Sequence, residues 1–141
     1  MNIFTSIGNF FSRFFVGGDK SRVSATKGWG DRCEAALEGA EQKTALKATK
    51  NVSVAIIKPE REQWSKTLAR NVGVFWSAAW NEFVCGLSGS GRIKVAMDKS
   101  GYIAPQILEH EMGHIVAECH GLQRPGQPHC PEFHGKLWNW G

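Results

Sequence analysis

The stretch PQILEHEMGHIVAECHG, residues 105–121, decides how the rest of the chain is read. Pro105 suits the first turn of a helix, where a missing N–H costs nothing, and Gly121 suits a C-terminal cap. Ile103, Ile107, His110 and His114 fall on one helical face, and Leu108, Met112 and Ile115 on a neighbouring one. The sequence therefore predicts a helix carrying H-E-x-x-H. Histidines four apart on a helix project about 6 Å from one another on the same side. Both imidazoles can then bind one zinc ion at about 2.1 Å. Glu111 is turned by about 100° from His110. It is expected to take the proton of a water polarised by the metal, as general base. Gly113 costs about 1 kcal/mol against Ala inside a helix, so the position suits close approach of another element.

Two histidines do not complete a catalytic zinc site. The downstream donors are Glu118, Cys119, His120, His129, Cys130, Glu132 and His134. His120 would complete the spacing of metzincins, but those turn out of the helix at a glycine where this chain has Ala117. A continuing helix carries His120 about 9 Å along the axis and turns it about 120° from His114. His129 follows a segment that leaves the helix at Gly121 and turns at Pro125, Gly126 and Pro128, so it can return over the helix. His134 lies five residues beyond His129, and Cys130 is a thiolate donor that zinc accepts. On the residues alone, the third ligand is open among these.

Within this span the chain resembles the SprT-like (Spartan-type) metallopeptidases of the zincin class. The resemblance rests on HEMGH together with HCPEF, residues 129–133, fifteen residues past His114 at the head of a second helix expected from Pro131. It covers about residues 105 to 138. It implies His110, His114 and His129 as zinc ligands, Glu111 as base, a protein substrate, and an association with DNA.

The remainder is consistent with a single domain. The 141 residues are 42% hydrophobic and 11% aromatic, enough for a core. Residues 1–58 carry nine Lys/Arg against five Asp/Glu, and residues 59–141 eight against eight. The net charge of +4 is thus N-terminal and too small to argue for nucleic acid. The four cysteines form no C-x-x-C pair, and reduced thiols in a cytoplasmic setting are expected. No run of eighteen apolar residues predicts a membrane span, and no signal-peptide pattern is evident. Residues 1–16 predict an amphipathic arm through Phe4, Ile7, Phe11 and Phe14, suited to an assembly partner or a membrane surface. Residues 17–30 read as a linker. Asp31 and Glu34 suggest a capping box opening a helix to about Lys50. VSVAII (52–57) and VGVFW (72–76) suggest strands, and Pro59 a helix carrying Trp64. Residues 82–97 suggest a hairpin turning at SGSG, with RIKVAM as an edge strand for extended substrate.

The expected architecture is α+β: a small zincin-like domain over residues 31–141, with a short antiparallel sheet packed on the H-E-x-x-H helix. The expected function is zinc-dependent hydrolysis of a protein. The alternative is a catalytically silent zincin-fold assembly protein, for example of a virus particle, that keeps zinc for stability. Glu111 discriminates, because a structural zinc site does not need it.

Overall fold

The computed structural model describes residues 15–16, 22–65 and 70–122. Strand β1 (Phe15–Val16) pairs antiparallel with β2 (Val23–Thr26). Helix α1 (Gly30–Thr44) then crosses over, and β3 (Val52–Ile57) returns parallel to β2. Alternation explains β3: Val52, Val54 and Ile56 are buried, and the residues between them are more open. The stripe Cys33, Ala36, Leu37, Ala40 and Thr44 is the buried face of α1, at the spacing of a helix packed on one side.

A second sheet follows, with β4 (Arg61–Ser65), β5 (Arg70–Ser77) and β6 (Glu82–Val84) all antiparallel. The chain then rejoins the first sheet through β7 (Gly86–Gly89) and β8 (Arg92–Ala96). Ser90 and Gly91 turn between them with φ of 53° and 74°, the type I′ geometry that matches strand twist. The first sheet runs in the order β1-β2-β3-β8-β7. The two sheets meet tightly at Gly73, where a Cβ would lie 2.1 Å from the Met97 carbonyl oxygen.

Helix α2 (Pro105–Cys119) packs on α1 and on β7. Pro105 occupies the first turn, and Gly121 ends the helix with φ of 65° while Leu122 N–H donates to the Ala117 carbonyl. Met112, Ile115 and Val116 are fully buried. Each such side chain stabilises the fold by about 1.5–3 kcal/mol, and Met112→Ala would cost about 2–5 kcal/mol. Gly39 lets α1 approach: a Cβ there would meet the Glu109 carboxylate at 2.4 Å, and Lys43 pairs with that same carboxylate.

The architecture is α+β, and several details differ from expectation. The sheet beside α2 is mixed rather than antiparallel, because the α1 crossover forces β2 and β3 parallel. RIKVA is interior, between β3 and β7, and the edge is β7. The stretch read as linker contains β2, whose Val23 and Ala25 are buried. Arg22 ties it to α1 through two hydrogen bonds to Glu41, at 2.5 and 2.9 Å. Residues 61–65 form a strand instead of the helix expected from Pro59, since β5 offers a partner ladder that outweighs local propensity. Helix α1 begins at Gly30 with Trp29 as N-cap and no side-chain cap bond, so Asp31 sits in the first turn instead of capping it. Of the expected arm, residues 15–16 join the sheet; residues 1–14 and the helix expected from Pro131 lie outside the described residues.

Candidate metal centre

Helix α2 projects His110 and His114 into a cleft of about 600 Å³. Their Nε2 atoms stand 3.1 Å apart, with the rings at 72°. With zinc–nitrogen bonds of about 2.0–2.1 Å, that separation subtends roughly 100° at a shared ion, near tetrahedral. Two imidazole nitrogens are also suitable donors for zinc. The pair therefore fits a zinc ion on geometry and on chemistry.

Glu111 lies between the pair and the sheet. It is 5% exposed. Burial pushes its carboxyl up to about 7, against a hydrogen bond from Ser88 that favours the charged form. Gly86 in β7 makes the space, since a Cβ there would stand 2.7 Å from Oε2. A carboxyl held near neutrality in a cleft is poised to take and return a proton.

The cleft has two walls. One is α2 with Gly86, Leu87 and Ser88 of β7; the other carries Trp80, Phe83 and Val84, with Gln63 and Glu82 as polar groups. Trp80 is 54% exposed at this wall. Trp76 meets Phe83 edge to face at 5.2 Å, and Arg61 lies 3.5 Å over the Phe83 ring. Cys85 also lines the cleft, but burial and the Glu111 charge push its thiol up to about 11. It is a neutral thiol at pH 7 and not a ready nucleophile.

His120 is placed elsewhere. It is the C-cap of α2, and its Nε2 donates to the Lys47 carbonyl at 2.7 Å, beside the loop that follows α1. Cys119 faces the same loop, its Sγ accepting from Thr49 N–H at 3.4 Å. Glu118 accepts from the Ser90 and Gly91 N–H groups at 2.7 and 3.1 Å and from Lys50 at 2.8 Å. Three of the downstream donors are thus engaged away from the cleft. Among the described residues, no group of three His, Cys, Asp or Glu side chains could hold a metal. His129, Cys130, Glu132 and His134 lie outside them.

Sequence reasoning picked out His110, Glu111 and His114, and the structure brings all three into one cleft. It missed Gly86, Ser88 and Cys85. The only signal for them is the small-x-small pattern of a strand poor in β-formers, which marks close approach of another group.

The chain matches no family model, and no curated protein or solved structure matches it significantly.

Proposed function

We propose that the chain is a zinc-dependent metallopeptidase acting on a protein substrate, with Glu111 as general base. One observation carries the reading: a buried carboxyl shares a cleft with two imidazole nitrogens 3.1 Å apart. His110 and His114 would hold the metal, with His129 as the third ligand that the SprT-like resemblance implies. Zinc, when bound, supplies a Lewis acid that acidifies water and polarises a carbonyl. Glu111 orients the attacking water at its carboxylate, accepts its proton at an Oε atom and returns it to the leaving amine. Its burial keeps bulk water from competing for that proton. The edge of β7, which pairs with no further strand among the described residues, can pair with an extended peptide, and the Trp80–Phe83 wall can hold a large apolar side chain of it.

A zinc site serving only assembly has no use for a buried carboxyl beside its two imidazoles, so the hydrolytic reading is favoured over the structural one. No helix of the described residues is long and apolar enough to cross a membrane. Cys33, Cys85 and Cys119 are free thiols, which suits a reducing, cytoplasmic compartment. The association with DNA rests on the SprT-like resemblance alone.

The test is cleavage of an unfolded protein by the zinc-loaded chain, with and without DNA, beside Glu111→Gln. The wild type is expected to cut, and the variant to lose 10²–10⁴-fold in rate while keeping its zinc. A wild type that cuts nothing under either condition, with full zinc content, would return the site to a structural role.

A further inference from the structure

Strand β7 is a poor strand by composition. Gly86, Leu87, Ser88 and Gly89 include two glycines, which weaken strand interiors. Its pairing explains what they are for. Gly86 stands opposite Val95 and Ser88 opposite Ile93. Both partners are buried, so positions 86 and 88 share the core-facing side of the sheet, where α2 packs. At 86, an added Cβ would lie 2.7 Å from Glu111 Oε2, 3.0 Å from Cδ and 3.1 Å from Cγ. The backbone there does not require glycine, since Gly86 is not among the positive-φ residues. The missing side chain is what matters. At 88, two residues on, the hydroxyl lies near enough to that same carboxylate to favour its charged form.

From this juxtaposition we propose that β7 is a cradle for the Glu111 carboxylate, with Gly86 and Ser88 as positioning residues. Gly86 leaves the space the carboxylate occupies, and Ser88 fixes its direction within that space. The kinetic half of this inference rests on Glu111 as the general base. The geometric half does not, so the two are tested separately.

The geometric test is a double-mutant cycle between positions 86 and 111, read by thermal unfolding of the full chain in the presence of a chelator. Gly86→Ala is expected to lower the unfolding midpoint in the wild type, because the new methyl displaces the buried carboxylate from the place it occupies. In the Glu111→Ala background the clash is gone and alanine is the better strand residue, so the same change is expected to be neutral or to raise the midpoint. Equal losses in both backgrounds overturn the cradle. The kinetic test uses the zinc-loaded chain on unfolded protein. Ser88→Ala is expected to lower kcat about tenfold, and Gly86→Ala about 10²-fold, with KM and zinc content unmoved and Ser88→Thr recovering most of the loss. A Ser88→Ala chain with the wild-type kcat overturns the positioning role of Ser88. A wild type that cuts nothing, beside a cycle that shows the coupling, refutes the peptidase reading and leaves the cradle standing on the cycle.

Discussion

Glu111→Gln should flatten part of the pH dependence of stability in the metal-free chain. The carboxyl has a folded-state value raised by burial from 4.5 to about 7. A carboxyl raised in this way favours the folded state while it is protonated. Its contribution is fully present below pH 4.5, is lost as pH rises toward 7, and is absent above that. At about 1.4 kcal/mol for each pH unit, the whole effect is about 3 kcal/mol. Of this, about 2.5 kcal/mol falls between pH 5 and pH 8. Glutamine keeps the shape and can still accept from Ser88, but it does not ionise. The assay is urea unfolding of both chains at pH 5 and pH 8, in the presence of a chelator. Taking the difference between the chains removes the other titrating groups. The variant should gain about 2.5 kcal/mol on the wild type between the two pH values. Parallel pH profiles would show that Glu111 is solvated in the folded chain, and the general-base argument from its burial would fall with it.

Glu41→Gln should destabilise the fold by about 2 kcal/mol at pH 7, since the 2%-exposed carboxylate loses charge toward Arg22 and the Ala48 N–H. Burial raises the Glu41 pKa, but Arg22 and the Ala48 N–H outweigh it and hold the carboxyl below its ordinary value. The stability it brings is present above 4.5 and lost as pH falls through the lowered value, so the deficit of the variant should shrink on acidification in denaturant titrations. Gly73→Ala should cost at least 2 kcal/mol in the same assay, because its methyl would meet backbone at Met97, which cannot swing aside. His114→Ala and His129→Ala should each strip most of the zinc in metal analysis of the purified chain. His120→Ala should not, and a loss there equal to that of His129→Ala would reverse the ligand assignment.

How much of this was legible follows from which forces are local. Helix α2 could be read because its stripe, Pro105 and Gly121 all act within the span itself. The same holds for β3, and for the buried Ile93 and Val95 of β8 against exposed Arg92 and Lys94. Where β8 sits in the sheet was not legible, because strand order is set by pairing across forty residues, with β3 on one side and β7 on the other. Strand β4 was misread for a related reason: Pro59 speaks for a helix, but the partner that makes residues 61–65 a strand arrives only with β5. The site divides in the same way. His110, Glu111 and His114 announce themselves by spacing. Ser88 and Gly86 are ordinary residues whose meaning exists only once Glu111 is beside them.

The contacts of α2 with the hairpin have a mechanical consequence. Glu111 lies against β7 at Gly86, and Glu118 holds the turn at Ser90 and Gly91. The two carboxylates are seven residues apart, about 10 Å along the helix axis. A helix and a hairpin pinned at two separated points can neither slide nor pivot against each other, so they form one stiff jaw. The other jaw carries Trp80 and Phe83, and it is tied to the stiff one from Ile57 to Arg61, at Gly73 against Met97, and at Cys85, whose carbonyl accepts from Ala96 N–H at 3.2 Å. Those ties hold the two jaws at a fixed spacing, so a bulky peptide is admitted by the side chains at the rim, half-exposed Trp80 first among them, and not by a swing of the backbone. A smaller side chain at position 80 would widen the mouth and set how fast substrates enter and products leave, with the chemistry at Glu111 untouched.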